Sequence, residues 1–212
     1  MRAARCAAPA VARLTLASAL ALVSSLLPAA AAPGAAAAAP PSGSGSLDQL
    51  LQLLAARPHG YVTFTEVHQL AVLDRPLHSS GELLYDAPDR LEKRTLQPKP
   101  EDLILDHGIL TARRGGRSRV LALRDYPQIV PFLESIRATL AGDRAGLERY
   151  FAVRYSGSLD HWELELTPAD PEVARAVEHI RISGERGAVR SVEIRQTDGD
   201  ASVLTVGGEV AP

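Results

Sequence analysis

Six histidines, at positions 59, 68, 78, 107, 161 and 179, are the residues of this 212-residue chain best suited to proton transfer or metal binding. No two of them stand at the i, i+4 spacing that sets paired imidazoles on one helix face. The Gly-Ser-Gly-Ser run at 43–46 lies in a low-complexity stretch, and no glycine-rich phosphate loop follows a strand pattern. Asp106 and His107 stand together before Gly108, where Asp and Gly supply turn geometry and need no catalytic role. The single cysteine, Cys6, precedes an apolar leader, so the rest of the chain offers no disulfide, no thiolate nucleophile and no thiolate metal ligand. We therefore expect no enzyme activity, no metal and no cofactor. Two cationic features stand out instead. Arg113, Arg114, Arg117 and Arg119 surround Gly115-Gly116, as a solvated hairpin end or as a patch for an anionic membrane or an acidic partner. Lys93 alternates with Leu91 and Thr95. If these face a protein interior the ammonium requires an anion, which a fatty-acid carboxylate or a phospholipid phosphate would supply, and if the strand is reversed Lys93 is solvated opposite Glu92.

These residues sit in the second of two compositional regimes. Arg2, Arg5 and Arg13 precede an apolar run from Leu14 to Leu27, and Pro28-Ala29-Ala30-Ala31 follows, which reads as a secretory signal peptide at 1–31 cleaved near Ala31. The 14-residue run is short for a membrane-spanning helix, which needs about 20 residues. Removing the leader takes away three arginines and no acid, leaving 20 basic against 25 acidic residues, a net charge of −5. That balance disfavours a nucleic-acid partner. Residues 32–46 (APGAAAAAPPSGSGS) have nothing to build a core with and read as a flexible tether. The folded unit is then 47–212, one domain in size.

The elements that must position these side chains are mostly strands. Ser46 with Gln49 forms a capping box ahead of Leu47, Leu50, Leu51 and Leu54, which share one helix face, and Pro58 with Gly60 ends that helix. From Tyr61 the hydrophobic period is two, with strands predicted over 61–73, 80–85, 90–96, 103–105, 109–112 and 119–123. The separators, such as Asp106-His107-Gly108 and Gly115-Gly116, are tight reversals, so neighbouring strands are antiparallel. Pro131 opens a helix carrying Phe132, Leu133, Ile136 and Leu140, closed by Gly142, and Asp143 caps a second short helix that reaches Phe151. Strands resume over 159–166, 177–182, 189–196 and 202–206.

About 10 or 11 antiparallel strands accumulate enough twist to curl into a barrel or half-barrel. The fold class is mainly β with an α lid (α+β), an incomplete antiparallel barrel whose N-terminal helix and two short helices cover the concave face. Along the strands, Trp162, Leu164 and Leu166 share a face, as do Ile180 with Ile182 and Val192 with Ile194, and Phe64 is the matching residue of the first strand. With Leu91 and Lys93, and with Phe132, Leu133, Ile136 and Leu140 on the lid, these fourteen are the candidate lining of an apolar cavity. Ordinary core packing describes the same residues, and most amphipathic helices do no more than complete a solid core.

The order of segments Tyr61-Val-Thr-Phe-Thr-Glu66, Gly81-Glu-Leu-Leu-Tyr-Asp-Ala-Pro-Asp-Arg90, Leu103-Ile-Leu-Asp-His-Gly108, paired helices and Trp162-Glu-Leu-Glu-Leu-Thr-Pro168 resembles the periplasmic outer-membrane lipoprotein carriers, LolA and its relatives. The resemblance runs over 47–206. It implies a half-barrel with a helical lid whose apolar interior holds acyl chains in transit through the periplasm. It further implies a monomer in transient membrane contact, working between an inner-membrane exporter and an outer-membrane acceptor. Ala87 occupies the place of the arginine those carriers have before the proline of this turn, and Leu91 and Lys93 stand where they have aromatics. An envelope sensor or adaptor that binds a protein segment in the same half-barrel is the alternative.

Overall fold

The structure, a computed structural model, describes residues 46–127 and 129–210. The leader, its cleavage point near Ala31 and residues 32–45 of the tether lie outside the described residues. The first helix, α1 (Leu47–Ala55), forms where the leucine spacing places it, and its capping box is complete: Gln49 N–H donates to Ser46 Oγ while Gln49 Oε1 accepts from Ser46 N–H. Leu50, Leu51 and Leu54 are buried.

Eleven strands follow: β1 (His59–Gln69), β2 (Leu77–Asp86), β3 (Arg90–Gln97), β4 (Glu101–Asp106), β5 (Ile109–Arg114), β6 (Arg117–Ala122), β7 (Phe151–Gly157), β8 (Trp162–Pro168), β9 (Val177–Glu185), β10 (Ala188–Gln196) and β11 (Ala201–Glu209). They form one antiparallel sheet in the order β6-β5-β4-β3-β2-β1-β11-β10-β9-β8-β7. Two meanders, β1–β6 and β7–β11, are thus joined down the middle by the pairing of the first strand with the last, and the sheet stays open at β6 and β7. It is an incomplete barrel with a helical lid, as the strand count and twist require. Because the chain must pass from one open edge to the other, the connection carries α2 (Val130–Ala141) and α3 (Arg144–Glu148) across the inner face. Gly142 ends α2 with φ 68°, and a Cβ there would lie 2.5 Å from the Leu51 carbonyl oxygen, so glycine is required both for the left-handed cap and for the approach to α1.

Several elements differ from the sequence reading, β7 being an added strand and β2, β4, β8 and β11 having shifted ends, and three of the differences have a clear local cause. β1 ends at Gln69 rather than Leu73, because Ala71 N–H is taken by the Asp200 carboxylate (2.8 Å) and Leu73 N–H by the Leu70 carbonyl (2.9 Å), which turns the chain away from the ladder. The helix capped by Asp143 stops at Glu148, and Phe151 opens β7, whose inner residues Phe151, Val153 and Tyr155 alternate as a strand. A short helix, α4 (Pro171–Ala174), capped by the Asp170 carboxylate, separates β8 from β9.

Candidate functional site

The registers place the strand candidates on one face. A row of direct neighbours runs Tyr155, Leu164, Ile182, Val192, Leu204, Glu66 and Ser79 across seven strands, and Phe64, Trp162, Leu166, Ile180 and Ile194 share its face. Leu83, Lys93, Leu103, Ala112 and Arg119 continue that face across β2–β6. Leu91 and Lys93 therefore point inward, and Glu92 lies on the outer face between Arg90 (3.2 Å) and Arg94 (2.6 Å).

The inner face is divided into two halves of different character. Over β7–β10 it is filled. Trp162, Leu164, Leu166, Ile180, Ile182 and Val192 form one cluster with Leu50, Leu51 and Leu54 of α1, Leu147 of α3 and Val173 of α4, all close to fully buried. Trp162 stacks over Gly184, and its indole N–H donates to the Arg186 carbonyl at 2.8 Å. Ile194 packs partly buried against this cluster. Phe64 is also buried, at the centre of the sheet.

Over β2–β6 the face is only half covered. Leu83, Leu91, Leu103, Leu110 and Leu121 remain partly exposed, with only Tyr85 and Leu105 buried among the apolar residues of these strands. Helix α2 seats Ala138 in the filled cluster and reaches this half through Arg137. Arg137 reaches Asp89 in the β2–β3 turn at 3.4 Å while also holding Glu134 (2.8 Å) and Asp143 (2.9 Å). The lid-to-barrel ion pair thus has its cation on the lid, beside a turn in which Ala87 carries no charge. Phe132, Leu133, Ile136 and Leu140 form one stripe of α2 and are each only partly buried, Phe132 resting against the filled cluster. The surface that α2 buries fully runs through Pro131, Ser135, Ala138 and Thr139. Ser135 and Thr139 return their hydroxyls to their own helix, onto the Phe132 carbonyl (2.7 Å) and the Ser135 carbonyl (2.6 Å), so small side chains form the tight contact. The apolar stripe is left beside it.

Lys93 finds its anion within the chain and not in a lipid head group, which corrects the expectation from the sequence. Its ammonium pairs with Glu66 and lies 5.0 Å from the centre of the Phe64 ring. Glu66 also accepts from His68 Nε2 (3.0 Å) and from Ser79 Oγ (3.2 Å). Burial by itself would raise the Glu66 carboxyl, but the His68 hydrogen bond and the Lys93 charge outweigh it and hold the group at about 2. Sequence reasoning did not find Glu66, which is 27 positions from Lys93. The hydroxyls of Tyr85 and Tyr155 are buried on this inner face without a hydrogen-bond partner, and burial pushes both phenols up. Tyr85 belongs to the half-covered side.

Among the described residues no group of three or more His, Cys, Asp or Glu could hold a metal, and no helix is long and apolar enough to cross a membrane. His107 (φ 46°) and Gly108 (φ 75°) make the turn assigned to them.

Residues 37–211 match the family described as outer membrane lipoprotein carrier protein LolA-like. No curated protein matches the chain. Among solved structures, the chain is similar to a LolA superfamily protein from Nitrosomonas europaea, at 11% identity over 80% of this chain and 94% of that one, with a TM-score of 0.42. LprF from Mycobacterium bovis aligns at 12% identity over 78% of this chain and 93% of that one, with a TM-score of 0.34. A MucA/MucB complex from Pseudomonas aeruginosa gives 16% identity, 78% and 58% coverage and a TM-score of 0.33.

Proposed function

The chain belongs to the LolA-like outer membrane lipoprotein carrier family, and from that premise we propose that it is a periplasmic carrier that shelters the acyl chains of a lipid or lipoprotein. In this reading residues 1–31 direct secretion and are removed, 32–46 tether, and 47–212 bind cargo. An inner-membrane exporter loads the carrier and an outer-membrane acceptor unloads it.

One observation carries the proposal. The β7–β10 half of the inner face is sealed by the protein's own side chains, whereas the β2–β6 half and the α2 stripe leave apolar residues half exposed. Each methylene buried there contributes about 0.8 kcal/mol, so shelter for about ten is ample for reversible binding. The cargo surface then narrows to Leu91, Lys93, Phe132, Leu133, Ile136 and Leu140 of the candidate set, joined by Leu83 and Leu103. Phe64, Trp162, Leu164, Leu166, Ile180, Ile182, Val192 and Ile194 build the wall behind it.

Organic extraction of the purified protein followed by mass spectrometry is expected to release a lipid. Ile136→Asp, a charge on the half-exposed stripe, is expected to abolish lipid uptake in a folded protein, and unchanged uptake overturns the lid assignment. The second reading, a protein-binding adaptor, is favoured by the open edge of β6, where Val120 is 66% exposed. Capture of one specific protein partner by lipid-free material would select it.

A further inference from the structure

Resting on the carrier reading, we infer that the β2–β6 half is a trough with two chemically different ends, and that it takes an anionic amphiphile in one orientation, tail beneath α2 and head group at the β5–β6 hairpin. The register sorts the inner face into rows. The row at the α2 end is Tyr85, Leu91, Leu105, Leu110 and Leu121, wholly apolar apart from one phenol. Two residues further along the strands the row is mixed, with Lys93 and Arg119 among Leu83, Leu103 and Ala112. Two residues beyond that it is polar, with Gly81, Thr95, Glu101, Arg114 and Arg117. The change from apolar to cationic spans four residues of strand, about 13 Å.

The ends are also covered differently. Arg137 pins α2 to Asp89 at the apolar end, and Leu123 N–H closes onto the Gly108 carbonyl there (2.9 Å). At the far end the hairpin tip forms a depression of about 310 Å³ bordered by Arg113, Arg114, Arg117 and Ser118 together with Glu101 and Asp102. Lys93 is already neutralised by Glu66, so it does not supply the attraction. Arg114, Arg117 and Arg119 do: they are exposed, and none of the ion pairs found among the described residues involves them. Glu101, facing Arg114 across the β4–β5 pair, is the one carboxylate of these rows, and Asp102 beside it faces Arg113 on the outer side, so Arg113, Arg114, Arg117 and Arg119 against two carboxylates leave the end net cationic. A tail therefore enters toward α2, and a phosphate-bearing head group stays at the arginines.

The test presents dioleoylphosphatidylglycerol, dioleoylphosphatidylcholine and dioleoylglycerol separately to the purified protein and counts one-to-one complexes by native mass spectrometry. Three exposed charge contacts predict a preference of about tenfold for the anionic lipid, reduced in 0.5 M salt. The variant Arg114→Gln/Arg117→Gln/Arg119→Gln should bring all three lipids within about twofold while keeping dioleoylglycerol uptake. Arg119→Gln alone, on an exposed edge strand, should lower the preference in part. Equal uptake by the native protein overturns the inference and leaves the carrier reading standing; uptake of no lipid ends both. Sedimentation with phosphatidylglycerol vesicles without an extracted lipid would assign the arginines to a membrane surface. Inorganic phosphate displacing the bound lipid at millimolar concentration would assign them to a free anion. Either result overturns the oriented-amphiphile assignment.

Discussion

Glu66 and Lys93 give the most direct check on the inner face. A carboxyl moved from 4.5 to about 2 carries about 3 kcal/mol of preference for its charged form, and since Lys93 is 27% exposed, about 2 kcal/mol of net stability is the working figure. Glu66→Gln removes that carboxylate and leaves a half-buried ammonium with only the Phe64 ring, so it should cost about 2 kcal/mol at pH 7. The double variant Glu66→Gln/Lys93→Met should recover much of the loss, because no unpaired charge remains. The sign with pH is fixed by the direction of the shift. A carboxyl lowered in the folded state stabilises fully above its unfolded value near 4.5, and that contribution is lost as the pH falls toward 2. Urea unfolding of the native protein, both single variants and the double at pH 7, 4 and 3 measures all of this. The gap between native and Glu66→Gln should narrow steadily on acidification. A gap that is the same at pH 7 and pH 3, or single variants whose costs simply add, would refute the coupling. Glu66→Gln also frees a cation in the middle of the trough, and should raise affinity for an anionic lipid while lowering stability.

Two further outcomes follow from the packing. Leu50→Ala deletes a fully buried leucine that joins α1 to the β7–β10 wall, and should cost about 2–5 kcal/mol in chemical denaturation with little effect on which lipid is preferred. Arg137→Gln breaks the ties to Asp89, Glu134 and Asp143 together; hydrogen exchange in α2 should accelerate well before global unfolding, and lipid should exchange faster.

Much of the fold was legible because its signals are local. The capping box at Ser46, the leucine face of α1, the turn residues between β1 and β6 and the Gly142 stop each act within a few residues. β7 escaped notice because its alternation, Phe151, Val153 and Tyr155, follows α3 with no glycine, proline or asparagine to mark the change. The pairing of β1 with β11 has no turn to announce it and depends on the whole sheet. Period two told which residues share a face, and the registers put Phe64 and the β8–β10 residues together on the inner one; for Leu91 and Lys93 it left both faces open, and the β2–β3 register turns them inward. It carried no information on whether a helix would come down on that face. On α2 the hydrophobic stripe lies beside the tight contact and not in it, because the buried surface is built from Ser135, Ala138 and Thr139, whose small size matters more than their polarity.

The division of the inner face explains how the protein can be stable and still leave apolar surface uncovered. A sheet of this size whose concavity was wholly open would have few helices packed on it and little core. Here α1, α3, α4 and Ala138 of α2 pack on β7–β10 in one cluster with Trp162, Leu164, Ile182 and Val192. The meander β2–β6 is held to that block along the β1–β11 ladder and by the Glu66 cluster beside it, so its own inner face need not be filled to stay folded. Substitutions in the filled half should therefore lower stability and leave lipid selectivity alone. Those in the trough should do the reverse, with Glu66 at the boundary doing both.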